Sequence, residues 1–205
     1  MDLEIKAEEY TSLEFSAIHM DWEKTKKCAE QLTSTKDIPL KNFILAGIYL
    51  GLRIGDLSKI TYEQIISKSG KIVFRDEKKD GRIVIIVHPY LQAYFKEVYE
   101  KYTLIKPNHS ILSRVGKKQA VTSRHFNTLI KKFAVTNELS PDASGNRIST
   151  HTMRKTFARK LYEKGNKTDD TLLAISTWFK HKDLATTRIY LGLVDEEIQK
   201  LIMSL

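Results

Sequence analysis

Basic, imidazole and phenolic side chains are the groups in this sequence best suited to chemistry. The candidates are Arg53, Lys78 with Lys79, His151, Arg154, His181 and Tyr190. Guanidinium and ammonium groups bind phosphate oxygens, an imidazole exchanges protons near neutral pH, and a tyrosine hydroxyl can act as a nucleophile. Together these side chains favour a site that binds and processes a phosphate group.

The spacing of two of these groups indicates a shared anion site. His151 and Arg154 are three residues apart, so at the start of a helix both side chains lie on one face and reach the same small anion. Arg53 directly follows the apolar run 43–52, which predicts that it is buried and needs an anionic partner. Alternatively, Arg53 neutralises Asp56 and caps a buried helix. Short spacings often arise by chance, so order along the chain carries more weight.

The sequence lacks several motifs of cofactor and metal sites. It contains no glycine-rich phosphate loop, no dinucleotide fingerprint and no histidine pair of the zinc-protease type. Cys28 is the one cysteine, which excludes a disulfide within the chain and a zinc site built on thiolates. We therefore expect chemistry that uses no metal and no cofactor, with Cys28 as a small core residue.

The charge balance indicates the class of partner. The chain of 205 residues carries 34 Lys and Arg against 25 Asp and Glu, a formal net charge of +9. This basic excess favours a polyanion such as nucleic acid, or an acidic membrane surface. The longest apolar runs are much shorter than the ~20 residues that span a bilayer, and the N-terminus lacks the basic and apolar regions of a signal peptide. We expect a cytoplasmic protein that does not cross a membrane.

Helices supply most of the elements that must position these groups. The spacing of apolar residues predicts helices over about 13–32, 40–50, 90–102, 123–135, 152–163, 171–179, 184–190 and 195–203. Two β-branched segments, 71–74 and 83–87, flank Asp80-Gly81, a strong hairpin signal. Turn-forming residues predict a loop over 137–146. The expected fold is mainly α with a small antiparallel β-sheet, in the α+β class, and forms one domain.

The order of the candidates resembles that of the tyrosine recombinase (phage integrase) family. The series runs from Gly51-Leu52-Arg53-Ile54-Gly55-Asp56-Leu57 through a hairpin lysine to His151-Thr152-Met153-Arg154, His181 and Tyr190-Leu191. The resemblance extends from about residue 40 to the C-terminus and covers the whole catalytic domain of that family. It implies the tyrosine recombinase catalytic-domain fold for 1–205, with a helical lead-in over about 1–38. We expect the separate core-binding domain of the family to be absent, either because the chain is shortened or because the protein naturally consists of a catalytic domain alone.

The resemblance implies a transesterification on double-stranded DNA that needs neither metal nor ATP. Tyr190 would attack a phosphodiester to form a 3′-phosphotyrosine, while Arg53 and Arg154 bind the non-bridging oxygens. His151 would assist removal of the tyrosine proton, and His181 would donate a hydrogen bond to the phosphate.

The resemblance also implies a hairpin lysine that protonates the leaving 5′ oxygen. Lys78 is the first candidate, because the family's lysine usually precedes the second hairpin strand by about five residues, and Lys79 is the alternative. Asp56 would hold the region around Arg53 in place. Lys180 departs from the family pattern, which usually has glycine immediately before the histidine.

The C-terminal residues of the chain provide a prediction about contact between copies of the protein. An apolar stripe near the C-terminus is formed by Ile198, Leu201, Ile202 and Leu205. In the family this tail packs on a neighbouring subunit of a DNA-bound tetramer, and the alternative is that it packs on its own domain. The expected function is site-specific DNA recombination, as integration, excision or inversion, by a phage or mobile-element protein. The alternative is a non-catalytic helical DNA-binding or regulatory protein derived from a recombinase.

Overall fold

The computed structural model of the protein describes residues 17–76, 81–141, 145–194 and 201–204. Within these ranges the helices are α1 (Trp22–Glu30), α2 (Ile38–Leu50), α3 (Ile54–Leu57), α4 (Tyr62–Ile65), α5 (Pro89–Lys101), α6 (Ser123–Thr136), α7 (Thr150–Lys164), α8 (Asp169–Phe179) and α9 (Leu184–Leu191). A 3-10 turn, Thr35–Asp37, precedes α2, and the strands are β1 (Lys71–Asp76) and β2 (Gly81–Ile86). None of these helices is both long and apolar enough to cross a membrane.

The two strands form an antiparallel hairpin, as the sequence predicts. Lys71 lies opposite Ile86, and the strands pair along their whole length. Because side chains alternate between the faces of a strand, Ile72 and Ile85 are buried against the core, whereas the opposite face is exposed. The predicted fold class, mainly helical with a small antiparallel sheet, is confirmed.

The first described helix begins later than the sequence predicts. Asp21 is the N-cap of α1, where its carboxylate accepts a hydrogen bond of 2.7 Å from the backbone N–H of Lys24. Such a cap satisfies an N–H that the first turn leaves unpaired and fixes the start of a helix. The predicted helix is therefore wrong over 17–21, and the part before residue 17 lies outside the described ranges.

Helix α2 is the centre of the main hydrophobic core. Eleven of its 13 residues are buried, as its nearly continuous apolar run predicts. The buried Asn42 amide donates to the Tyr62 hydroxyl at 2.9 Å and to the Ile111 carbonyl at 2.7 Å, and its oxygen accepts from the Tyr94 hydroxyl at 2.7 Å. A buried amide that is satisfied in this way fixes α2 against α4 and α5.

Two glycines allow α2 to approach α7 closely. A Cβ atom at Gly47 would lie 2.5 Å from the Cβ of Met153, and one at Gly51 would lie 2.1 Å from Cδ1 of Phe157. Gly51 also ends α2 in the left-handed conformation, with φ of 63°, which glycine adopts at little cost. The two helices therefore pack against each other along a line that ends at Gly51.

A second buried cluster lies between α7, α8 and α9. Its members are Ala158, Leu172, Ile175, Phe179, Leu191 and Leu193. Helix α7 contributes Met153 to the main core and Ala158 to this cluster. It therefore connects the two cores, and the candidate residues of the site lie around its N-terminal half.

Candidate active site

Arg154 lies in α7 between the two buried clusters and is only 5% exposed. Its guanidinium donates to the Gly51 carbonyl at 2.6 Å and to the Phe179 carbonyl at 3.5 Å. These oxygens belong to the C-terminal ends of α2 and α8, where helix dipoles favour a cation. The same guanidinium lies 3.7 Å from the centroid of the Phe179 ring. Arg154 is thus held by two helix ends and an aromatic face.

An open cavity of about 290 Å³ lies beside Arg154. It is lined by Arg53, Ile54, Gly55, Asp56, Thr150, His151 and Arg154. The lining includes the first residues of α7, whose backbone N–H groups donate to Asn127 and Ser149, so the positive charge of the cavity comes from its arginine side chains and the helix dipole. The structure therefore brings Arg53, His151 and Arg154 together, in a place whose charge suits a phosphate group.

A larger cavity, of about 430 Å³, lies along another face of α7. It is bordered by 18–22 and 138–141, and its charged lining mixes Asp21, Glu138 and Glu163 with Arg159 and Lys160. Acidic and basic groups are nearly balanced there, so the electrostatic attraction for a phosphate is weaker than in the smaller cavity. Of these two cavities, the chemistry of the lining and not the size favours the smaller one as the candidate site.

Arg53 is exposed, so the prediction that it is buried is wrong. The chain leaves the core at Gly51, and Arg53 precedes the short helix α3 in an extended conformation. Among the described residues it has no ion pair, and Asp56 does not neutralise it. Burial lowers the pKa of the Arg154 guanidinium, and the negative charge of Asp56 partly offsets this effect. Asp56 thus acts electrostatically on the buried arginine.

His151 follows the first residue of α7 and lines the cavity. Loss of water around the ring lowers its pKa, and the positive charges of Arg154, Arg53 and Lys155 lower it further. Both effects disfavour the imidazolium ion. His151 is therefore neutral at neutral pH, in the form that accepts a proton.

His181 lies between α8 and α9, and its Nδ1 is 2.8 Å from the Thr187 hydroxyl. Burial and the charges of Arg154 and Arg53 lower its pKa, while Asp183 acts in the opposite direction. This histidine is also neutral near neutral pH. The bond to Thr187 fixes the orientation of the ring.

The ring of Tyr190 contacts three side chains. Its centroid lies 5.4 Å from that of Phe179 and 5.1 Å from that of His181, and the Lys155 ammonium lies 4.8 Å above it. Within the described residues its buried hydroxyl has no hydrogen bond of ordinary distance and angle, although it lies near enough to Arg154 to interact with it electrostatically. Burial raises the pKa of Tyr190 to about 12, against the lowering effect of Arg154.

Lys78 and Lys79 lie outside the described residues, so the assignment of a hairpin lysine stays a prediction. Sequence reasoning did not identify Phe179 or Lys155, although both contact candidate residues. A weak signal existed for Lys155, which follows Arg154 directly. The contact of α7 with Phe179 at the end of α8 joins residues that are distant in the sequence, so no local sequence pattern predicts it.

Comparison with known proteins points to one family. The sequence profile described as the phage integrase family matches residues 20–197. Tyrosine recombinase XerD of Bradyrhizobium diazoefficiens is 25% identical over 162 residues, which cover 76% of this chain and 48% of that protein. The chain thus spans about half the length of this curated relative.

Solved structures share the fold. The XerA recombinase matches with a TM-score of 0.65 and 16% identity, covering 92% of this chain and 65% of that one. The XerH recombinase, bound to palindromic difH substrate in a post-cleavage complex, matches with a TM-score of 0.66 and 16% identity. The match covers 90% of this chain and 52% of that one. The catalytic domain of bacteriophage HP1 integrase matches with a TM-score of 0.51 and 17% identity, covering 86% of this chain and 88% of that one. These matches confirm the predicted catalytic-domain fold.

Proposed function

Because the chain belongs to the phage integrase family, we propose that it is a site-specific recombinase that cleaves and rejoins double-stranded DNA. One observation supports this most directly. Arg53, His151 and Arg154 line one cavity, and the Tyr190 hydroxyl is buried close to the Arg154 guanidinium. A basic cavity with a potential nucleophile beside it fits transfer of a DNA strand to the protein.

In the proposed first step, the Tyr190 oxygen attacks the phosphorus atom of a phosphodiester. The bond from phosphorus to the 5′ oxygen breaks, which gives a 3′-phosphotyrosine and a free 5′-hydroxyl. Attack by the 5′-hydroxyl of another strand then forms a new phosphodiester and releases Tyr190. Each step replaces one ester with another, so the reaction requires no ATP, and the arginine side chains take the place of a metal ion in neutralising the phosphate charge.

Arg53 and Arg154 stabilise the negative charge that develops on the non-bridging oxygens in the transition state. Arg154 uses two N–H groups on the Gly51 and Phe179 carbonyls, and a guanidinium has about five N–H donors, so others remain for the phosphate. Arg53 is exposed and is available to DNA. The two residues thus approach the phosphate from the core and from the surface.

Proton transfer involves the two histidines. Tyr190, with a pKa of about 12, is protonated at neutral pH and must lose its proton as it attacks. Neutral His151 accepts this proton, directly or through water. The Thr187 hydroxyl has two acceptors within reach, Nδ1 of His181 at 2.8 Å and the Asp183 carbonyl at 3.4 Å. We propose that it donates to the nearer Nδ1, so that the ring proton lies on Nε2, from which His181 donates to a phosphate oxygen.

The leaving 5′ oxygen also needs a proton. We assign this step to Lys78, with Lys79 as the alternative, because an ammonium group donates a proton readily to an alkoxide. Asp56 supports the site by its negative charge near Arg154.

We further propose that the protein acts as a homo-tetramer on DNA, in integration, excision or inversion. The XerH structure is described as bound to its difH substrate, which supports DNA as the partner here. Leu201, Ile202 and Met203 are exposed, which supplies an apolar surface for contact between copies.

Covalent trapping on DNA tests the proposed function. The substrate is a nicked duplex made from inverted repeats that flank the gene, so that the fragment with the 5′-hydroxyl diffuses away. We expect a protein–DNA adduct that survives denaturation and is absent in Tyr190→Phe, which still binds the DNA. Tyr162→Phe is the matched control, because Tyr162 packs on the second cluster and should leave the adduct unchanged. DNA binding without an adduct would favour the non-catalytic alternative.

A further inference from the structure

Lys155 packs on the ring of the proposed nucleophile. Its ammonium nitrogen lies 4.8 Å from the centroid of the Tyr190 ring. Lys155 is half-buried and directly follows Arg154 in α7. A cation above an aromatic ring is attracted by the negative face of the ring, so this contact is electrostatic as well as steric.

Two aromatic rings contact Tyr190 from the other helices. Phe179 meets it at an interplanar angle of 81° and His181 at 65°, which are edge-to-face arrangements that aromatic pairs favour. Phe179 ends α8, and His181 lies in the connection to α9. Lys155 is therefore a contact that joins the Tyr190 ring to α7.

The hydroxyl of Tyr190 interacts with the Arg154 guanidinium, but this contact is weak. The hydroxyl is buried and, in the part of the chain that the structure describes, lacks a hydrogen bond of ordinary geometry. Burying an unpaired hydroxyl is unfavourable. The contacts of the ring therefore add to the interaction with Arg154 in keeping Tyr190 in place.

We propose that Lys155 is a positioning residue that holds the Tyr190 ring next to the phosphate-binding arginine. This inference rests on the proposed function of Tyr190. Arg154 and Lys155 are consecutive residues of one helix, so the phosphate and the nucleophile are placed relative to each other by a single rigid element. Lys155 contacts the ring, so its effect is on the geometry of attack, to which the rate of a displacement is sensitive.

Three variants separate this effect from DNA binding and from folding. Lys155→Met keeps the aliphatic stem and removes the charge, whereas Lys155→Arg keeps a cation that also binds aromatic faces. Lys160→Met is the matched control. Lys160 lies in the same helix, with its ammonium 5.0 Å from the Trp22 ring and 2.7 Å from the Glu23 carboxylate, away from the candidate site.

The first measurement is the single-turnover rate of adduct formation at saturating DNA. We expect Lys155→Met to slow this rate by about tenfold or more, as for a misplaced reactant, while the Kd for DNA changes by less than about threefold, because many phosphate contacts share the affinity. Lys155→Arg should restore most of the rate, and Lys160→Met should match the unmodified protein. A Lys155→Met variant that reacts at the unmodified rate would overturn the proposal.

The second measurement needs neither DNA nor activity. In protein labelled with 3-fluorotyrosine, the ¹⁹F resonance of Tyr190 is the one that disappears in Tyr190→Phe. We expect Lys155→Met to move this resonance towards the shift of exposed tyrosine and Lys155→Arg to leave it in place. A resonance that does not move in Lys155→Met overturns the positioning effect. Because this spectrum is independent of cleavage, a failure of the unmodified protein to form any adduct counts against the proposed function alone.

Discussion

The guanidinium of Arg154 lies 3.7 Å from the centroid of the Phe179 ring and also donates to the Phe179 carbonyl oxygen at 3.5 Å. One side chain thus contacts both the ring and the backbone of the last residue of α8. His181 follows two residues later, and the Tyr190 ring packs on the edge of Phe179. This contact fixes α7 against the segment that carries the two other candidate groups. Arg154 therefore contributes to folding as well as to the proposed chemistry, whereas we expect exposed Arg53 to contribute to the proposed chemistry alone.

Replacing each arginine should separate stability from cleavage. In Arg53→Ala the free energy of unfolding should change by less than about 0.5 kcal/mol, as for most exposed positions. In Arg154→Ala it should fall by about 2–4 kcal/mol, because two buried carbonyls and an aromatic face lose their partner. Both variants should slow adduct formation about 100-fold or more, as for loss of an oxyanion donor. Denaturant unfolding and single-turnover cleavage measure the two effects.

The arginine comparison has two clear contrary outcomes. A loss of cleavage below about tenfold in Arg53→Ala, much smaller than for an oxyanion donor, would remove Arg53 from the site. Equal unfolding free energies for the two variants would contradict the structural contribution of Arg154.

His151, the proposed base, should set the acid side of the pH dependence, because a protonated His181 can still donate from Nε2. Burial, followed by the charges of Arg154 and Arg53, lowers the pKa of both His151 and His181 from 6.5. A lowered pKa keeps each ring neutral to a more acid pH. The rate of adduct formation should therefore stay constant as the pH falls to about 6.5, the ordinary histidine pKa, and should decline only below it.

A charge change near the histidines checks this assignment. Arg53→Gln removes a positive charge that lowers both pKa values, so the acid decline should move to higher pH, although the rate itself is reduced. Lys160→Met, whose charge lies elsewhere on α7, should leave the profile unchanged. A decline centred above pH ~7 in the unmodified protein, higher than the ordinary histidine pKa, would show that another group controls the reaction.

Local patterns in the sequence predict the elements well. The nearly continuous apolar run of α2 predicts its burial, and the hairpin follows from β-branched segments around Asp80-Gly81. These signals come from neighbouring residues and need no knowledge of tertiary packing. The error at the start of α1 arose from Asp21, because an amphipathic pattern does not show which polar residue will act as a cap.

The burial of the two arginines could not be predicted in the same way. The sequence predicts a buried Arg53 because it follows an apolar helix, yet the chain leaves the core at Gly51 and Arg53 is exposed. The buried arginine is Arg154, whose carbonyl partners on Gly51 and Phe179 are 103 and 25 residues away in sequence. Partners at such separations leave no periodic pattern in the sequence. The order of residue types along the chain therefore indicates which residues form the site. Their distances and burial follow only from the tertiary packing.

Lys180 occupies a position that favours glycine. It ends α8 in the left-handed conformation, with φ of 56°, directly before His181. Relief of left-handed strain outweighs the entropy cost of glycine, so Lys180→Gly should raise the free energy of unfolding by about 0.5–1 kcal/mol. Lys182→Gly, at an exposed position without positive φ, should lower it slightly. If Lys180→Gly is the less stable of the two, other contacts of the Lys180 side chain outweigh the strain.

Truncation tests the C-terminal tail. Leu201, Ile202 and Met203 are exposed, while Ile198 and Leu205 of the predicted stripe lie outside the described residues. Ending the chain after Val194 should reduce recombination between two DNA sites by much more than cleavage by single protomers, because only the former requires assembly of several copies. Equal loss of both activities would favour packing of the tail on its own domain.

The leaving-group lysine can be identified by chemical rescue. A 5′ alkoxide needs a proton to leave, whereas a sulfur atom at the bridging 5′ position leaves as a thiolate without one. Lys78→Ala should therefore be strongly impaired on ordinary DNA and recover most of its cleavage on the phosphorothiolate substrate. Lys79→Ala should be only mildly affected on both.

The expected difference rests on the hairpin register. The sequence predicts the second strand from Ile83, five residues after Lys78. In the structure β2 begins at Gly81, only three residues after Lys78, so the count does not separate the two lysines and the rescue experiment decides between them. Rescue of Lys79→Ala but not of Lys78→Ala would move the assignment by one residue. If neither variant is rescued, the proton comes from another group. His151 is then the first to test, because it lines the cavity that we propose for the phosphate.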